Sequence, residues 1–472
     1  GSLKRVAVRP IALPPLVGVV AFWFLYGESG IIPRAMKELL GLQKPPLYLE
    51  GFVAILFVHT YSFYVYFYLF ASAFLRRIDP AVIEAAVNLG SSQWRTLRKV
   101  ILPLLTPALV GASLLTFMAS MASFSAPFLF GGGKRFMTTQ IYNAKLNGDM
   151  GLAATHSIVL VVISIFFLLL LRRYSGKRRY VQATKGVSRR LSRRVTKFSR
   201  VLATVTALVA LLFILLPAAG ILLISFAKEG SWTWQLLPSA YTLENYLKLL
   251  TEEGVFRPIA NSAAMAALAT AANVVFGVIV AFLITRRVFS PRGVGLGLEI
   301  ASALPFAIPG TVIALSLILA LNRPTLFTGG QVLVGTFWIL PLAYFTRNIP
   351  IVVRSTTAGF QQFDRSLEEA AHNLGASTWR TFWKVIFPSI LPSIISGALL
   401  AFIAALGEFV SSILLYTYDN RPISVEILAQ FRLGNFGGAA AYGVFLLILV
   451  IGVTSLAGIW RGEDNLRETF VF

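Results

Sequence analysis

Apolar stretches long enough to cross a bilayer recur along this whole chain, and nothing else in the sequence constrains its fold as strongly. Ten are present, at residues 11–26, 51–75, 104–128, 153–171, 201–226, 259–285, 297–321, 332–353, 390–416 and 439–460. Most match the ~20 helical residues that span ~30 Å of hydrocarbon; the first is short and carries Pro14-Pro15. A lone span must satisfy its backbone hydrogen bonds internally, and the strict alternation of a barrel strand is absent. The expected fold is therefore an all-α membrane protein, a polytopic bundle of about ten transmembrane helices. Composition agrees: 56% of residues are apolar and 13% charged, against about one quarter charged in a soluble domain. No cleavable signal-peptide pattern precedes the first stretch. The chain has no cysteine, which excludes disulfides and thiolate metal sites.

A net charge of +22 raises the question of nucleic acid. Its distribution answers differently. Residues 172–200 hold twelve Lys or Arg and no Asp or Glu, directly between two apolar stretches. Basic residues flanking spans are retained on the cytoplasmic side, so this run sets orientation. Orientation of the flanking spans accounts for the run, and no nucleic-acid partner is expected. By alternation, Arg76-Arg77, Arg286-Arg287 and the Lys4, Arg5, Arg9 cluster also fall inside. The connection 227–258, with Glu229, Glu244, Glu252 and Glu253, falls outside, and both termini are cytoplasmic.

An internal repeat organises the chain. Residues 84–103 read EAAVNLGSSQWRTLRKVILP and residues 369–388 read EAAHNLGASTWRTFWKVIFP, with fourteen of twenty positions identical at an offset of 285. Two homologous halves follow: residues 1–171 with a loop at 78–103, and residues 201–472 with a loop at 363–388, joined by the basic linker 172–200. The second half has two leading spans without counterparts in the first, so the first half is expected to lack two amino-terminal helices.

Each repeated segment reads as a helix–turn–helix knob on the cytoplasmic side. Glu84-Ala85-Ala86 and Glu369-Ala370-Ala371 begin a short helix whose small side chains admit close approach of another surface. Gly90 and Gly375 supply the left-handed backbone that ends it. Trp94, Arg95, Thr96, Lys99 and Val100 then start a second, amphipathic helix leading to Pro103 and the next span.

These two segments resemble the EAA loops of ABC importer permeases of the type I fold, and the resemblance covers almost the whole chain. The family pattern, EAA, three residues, G, then a run ending hydrophobic-x-x-P, is matched by Glu84, Ala85, Ala86, Gly90 and Pro103, and by Glu369, Ala370, Ala371, Gly375 and Pro388. The resemblance implies that each knob is a coupling helix docked on one of two ATP-binding subunits. It also implies a periplasmic or lipoprotein substrate-binding protein at the other face, and residence in a bacterial or archaeal cytoplasmic membrane. Residues 124–154 and 406–431 resemble the fused permeases of ferric-iron importers. Relatives that carry thiamine, polyamines, phosphonates or sugar phosphates share this organisation.

The sequence places ATP chemistry elsewhere. Gly131-Gly132-Gly133-Lys134 lacks the spacing and the following Ser or Thr of a phosphate-binding loop. The chain is therefore expected to be a non-enzymatic transport subunit with no cofactor of its own, ATP and Mg belonging to the partner subunits. His59, His156 and His372 are too scattered to suggest a metal site, and no catalytic constellation is evident. Ionisable groups within spans carry a functional presumption because burying them is costly. Glu408 and Arg347 are the clearest, as pathway groups or as a helix-to-helix pair, and Tyr64 is a third pathway candidate among the tyrosines at 61, 64, 66 and 68. An ion-coupled secondary transporter would also show repeats and intramembrane charges, but these often have inverted topology, and it needs no docking knob.

Overall fold

The computed structural model describes residues 13–75, 78–176, 197–286 and 292–460. The Lys4, Arg5, Arg9 cluster, Arg76-Arg77, Arg287 and the linker residues 177–196 lie outside them. The described residues are helical, with no strand among them and one isolated bridge, Ala227 to Tyr241.

The first half begins with α1 (Pro15–Tyr26) and the short α2 (Ile31–Leu39), followed by α3 (Gly51–Leu75). The first knob is α4 (Pro80–Asn88) and α5 (Gln93–Thr96), which leads through a π-helical turn, Leu97–Ile101, into α6 (Leu102–Met121). Two short helices, α7 (Ser125–Phe130) and α8 (Met137–Leu146), precede α9 (Met150–Gly176). The second half opens with α10 (Lys197–Ser225), α11 (Glu244–Thr251) and α12 (Glu253–Arg286). It continues through α13 (Arg292–Ala307), α14 (Gly310–Leu321) and α15 (Ile339–Gln362). The second knob is α16 (Arg365–Asn373) and α17 (Thr378–Thr381), again followed by a π-helical turn, Phe382–Ile386, and then α18 (Phe387–Leu406). Last come α19 (Ser412–Leu415), α20 (Ile423–Arg432) and α21 (Phe436–Trp460).

Eight of the described helical segments are long and apolar enough to cross a membrane, Pro15–Leu39 being taken as one. The expected span 297–321 is not continuous. α13 and α14 meet at 108°, a broken span that brings the total to nine. Pro309 is the reason: it has no N–H to continue the helix and biases Ile308 away from helical geometry. α15 is the tenth expected span. Its 24 residues reach ~36 Å at 1.5 Å each, but it carries Arg347 and Arg354 and falls short in apolarity. Two other expected spans end early. α6 stops at Met121 and α18 at Leu406, so residues 122–124 and 407–411 form equivalent irregular breaks.

The halves interlock. α1 and α14 are equivalent short helices of 12 residues, each entered through an extended proline, Pro14 (φ −54°, ψ 136°) and Pro309 (φ −59°, ψ 144°). α1 packs on α10, α20 and α21 of the second half, and α14 packs on α8 and α9 of the first. Trp23 meets Phe431 edge-on at 4.7 Å, and Phe24 meets Phe436 at 5.8 Å. Val312 and Leu315 share a buried cluster with Ile141, Ala153 and Leu160. The largest core cluster draws on both halves, from Leu16, Val17 and Phe24 to Ile221, Tyr344, Phe409 and Leu446.

Candidate coupling knobs and central polar pair

The two knobs have the same local construction. Asp79 caps α4 by accepting from the Ala81 N–H at 2.9 Å, and Asp364 caps α16 by accepting from the Ser366 N–H at 3.0 Å. The Ser366 backbone N–H and side chain hold the Asp364 carboxyl below its ordinary range. At the far end Gly90 and Gly375 both take φ 80°. The alanines of the motif accept the closing bonds: Leu89 and Ser91 N–H donate to Ala85 and Ala86 carbonyls at 3.0 Å. Leu374 and Ala376 N–H donate to Ala370 and Ala371 at 3.1 and 3.0 Å. This satisfies carbonyls that a helix end leaves open. Ser92 and Ser377 then cap α5 and α17.

Neither α4 nor α16, which carry Glu84 and Glu369, buries a residue. Leu89 and Leu374, the residues before the glycines, are each 88% exposed, and Trp94 and Trp379 are 69% and 71% exposed. Large apolar groups presented at two equivalent tips form a surface suited to a partner rather than to water. The knobs also differ. Glu368 pairs with Arg286 at the end of α12, whereas Ile83 occupies the equivalent position of the first knob. Between the knobs the chain crosses along α6, α9, α10, α12, the α13–α14 pair and α15. Taken as the ten spans expected from the sequence, these are six passages, an even number, which is the arrangement expected of two loops on one face.

Glu408 and Arg347 are brought together. Glu408 lies in the irregular break after α18 rather than inside a continuous span, because Gly407 ends that helix. Its Oε2 accepts from Arg347 Nε at 2.9 Å, and its Oε1 from the Ser411 N–H at 2.9 Å. Its main-chain carbonyl accepts from Ser412 and Ser424 hydroxyls at 2.7 Å. Arg347 Nη1 is buried without a hydrogen-bond partner and lies over Gly310, the first residue of α14. One pair thus ties together α14, α15 and the break. Gly310 is the residue sequence reading missed; a glycine immediately after a helix-starting proline was its only signal.

The first half builds this point differently. Ser123 stands where Glu408 does, and Ser62 where Arg347 does, by the 285-residue offset. Here His59 is buried between two hydroxyls, its Nε2 2.9 Å from Ser123 Oγ and its Nδ1 2.8 Å from Ser120 Oγ. The second half carries an ion pair at this point and the first a histidine hydrogen-bonded to two serines. Tyr64 is partly buried on α3. Its neighbour Tyr61 is buried and donates to the Ile214 carbonyl at 2.8 Å, within the turn of α10 disrupted by Pro217. Among the described residues, no group of three or more His, Asp or Glu could hold a metal ion.

Two homologous, interlocked helical bundles with helices long and apolar enough to cross a membrane, each bearing an EAA knob, are the architecture of a binding-protein-dependent permease. Residues 2–180 and 273–460 match the profile of the binding-protein-dependent transport system inner membrane component family, and the chain belongs to that family. It is 31% identical over 91% of its length to the probable ABC transporter permease protein y4fN of Sinorhizobium fredii, of which it covers 75%. It is 28% identical over 95% of its length to the ferric transport system permease protein FbpB of Actinobacillus pleuropneumoniae, of which it covers 64%. It is also 30% identical over 52% of its length to a probable sulfate transport system permease protein of Chlorokybus atmophyticus, of which it covers 84%. The chain is a multi-pass permease subunit of an ABC import system.

Proposed function

We propose that this chain passes ferric iron inward across a cytoplasmic membrane, driven by ATP hydrolysis on two separate subunits docked at the knobs. The observation that carries the coupling part is the pair of equivalently built knobs whose tips leave Leu89 and Leu374 each 88% exposed. Cargo arrives at the opposite face from a periplasmic or lipoprotein binding protein. The knob-bearing face and both termini are cytoplasmic, in keeping with the basic run between α9 and α10. Glu84, Ala85, Ala86, Gly90 and their counterparts Glu369, Ala370, Ala371, Gly375 shape the docking turns; ATP and Mg act on the partner subunits. Glu408, Arg347 and Tyr64 border the path.

Iron is supported by the likeness to a ferric permease along nearly the whole chain. The sulfate likeness, confined to about half of it, supports an oxyanion as the second reading. The test is radio-iron and radio-sulfate uptake in proteoliposomes holding the assembled complex and its binding protein. ATP-dependent iron uptake without sulfate uptake is expected. Sulfate uptake alone replaces the cargo, and uptake that persists without ATP-binding subunits ends the importer reading.

A further inference from the structure

The reciprocal packing of α1 on the second half and α14 on the first is the contact pattern of a two-fold arrangement, in which i touches j and j touches i. In such an arrangement, residues separated by the 285-residue offset touch each other only beside the axis. Phe124 and Phe409 are such a pair. Each lies in the irregular break that follows an equivalent helix, α6 or α18. Their rings meet with centroids 5.8 Å apart, and each residue is 1% exposed.

A passage walled by both halves runs along the axis that relates them. The two rings therefore stand across it. The groups just before them are polar: Ser123, hydrogen-bonded to His59, precedes Phe124, and Glu408, paired with Arg347, precedes Phe409. An apolar pair set beside polar groups excludes water at its own level. Hydrophobic constrictions close conduits in this way. The breaks also free these rings from helix register. Phe124 is braced by Phe128 at 5.0 Å and Tyr142 at 5.6 Å, with Arg432 of the second half over the Phe128 ring.

We propose that Phe124 and Phe409 form the closed gate of the solute path, one leaf from each half, and that they separate during each transport cycle. The proposal rests on the permease reading but not on the identity of the cargo. Its first test needs neither cargo nor ATP. Vesicles containing the purified permease and a trapped thallium-quenched dye report passive ion leak. The Phe124→Ala/Phe409→Ala variant is expected to leak at least tenfold faster than wild type, while Phe117→Ala, at an exposed ring contact on α6, stays at the wild-type level. A wild-type leak rate from a monodisperse double variant overturns the gate.

The second test covers failure of that variant to fold. The chain has no cysteine, so Phe409→Cys gives a single thiol. In the complex with its ATP-binding subunits, a membrane-impermeant charged maleimide should label it at least tenfold faster in one nucleotide state than at rest. Equal rates at rest, with ATP and after vanadate arrest, in vesicles that hydrolyse ATP, would show a static core contact. ATPase activity measured in the same vesicles separates that outcome from failure of the importer reading.

Discussion

Gly310 offers the sharpest test of how the central pair is held. A Cβ added there would sit 2.0 Å from Arg347 Nη1, 3.1 Å from its Cζ and 3.2 Å from Val410 Cβ. The first distance is impossible, so in Gly310→Ala the guanidinium must retreat, and retreat breaks its 2.9 Å contact with Glu408. Removing one partner of a fully buried pair costs about 3–5 kcal/mol. The Arg347 side chain is 31% exposed and that of Glu408 8%, so water screens part of the loss, and about 1–3 kcal/mol is expected. Against this, alanine favours a helix over glycine by up to about 1 kcal/mol, less at a first-turn position. The sign therefore depends on the ion pair. In wild type Gly310→Ala should destabilise; in an Arg347→Met/Glu408→Gln background, only the Val410 contact remains and the substitution should be neutral or stabilising. Urea unfolding in mixed micelles of the four proteins closes the cycle. Equal destabilisation in both backgrounds would place the clash at Val410 and refute the account of the pair.

Other expectations follow from the knobs and from α10. Gly90→Val and Gly375→Val meet open space but must hold φ 80°, a strain of about 1–2 kcal/mol each, so the chain should insert normally while binding-protein-stimulated ATPase and uptake fall together in reconstituted complexes. Leu374→Ser and Leu89→Ser remove the exposed tips and should weaken retention of the ATP-binding subunits on affinity columns, without changing the permease's own melting. The Asp364 carboxyl is held below its ordinary range by Ser366, so its cap contributes fully above the usual carboxylate pKa and is lost as pH falls through the depressed value. Hydrogen exchange at the Ser366 amide should accelerate only in that acid window, and at neutral pH in Asp364→Ala. Tyr61→Phe removes the donor to Ile214 and should cost about 1 kcal/mol, read by the same urea unfolding.

Much of this architecture is legible in the sequence because the forces that build it act locally. Apolar length declares α3, α9, α12 and α21, and the repeat declares the knobs, whose turn chemistry is carried by Asp, Ala and Gly at fixed spacing. Hydropathy fails where apolar residues continue past the end of a helix. Apolar residues resume directly after the breaks at 122–124 and 407–411, so hydropathy carries the expected spans on to 128 and 416 although the helices end at Met121 and Leu406. The α13–α14 break hides in the same way: Pro309 marks it, but proline also occurs inside helices that continue past it, as Pro258 does in α12. The Glu408–Arg347 pair was readable as two costly charges. Its third member, Gly310, was not, because it acts by having no side chain, and only the approach of Arg347 shows why that matters.

The unequal walls at the centre bear on why the two halves share one polypeptide. Were each half free to assemble with a copy of itself, some channels would contain two Arg347–Glu408 pairs and others none, with serines and histidines on both sides. Covalent joining fixes the stoichiometry at one charged wall and one uncharged wall in every molecule made. The interlocked α1 and α14 also hold the halves together. The peptide link works as a sorting device, excluding symmetric assemblies that the shared ancestry of the halves would otherwise permit.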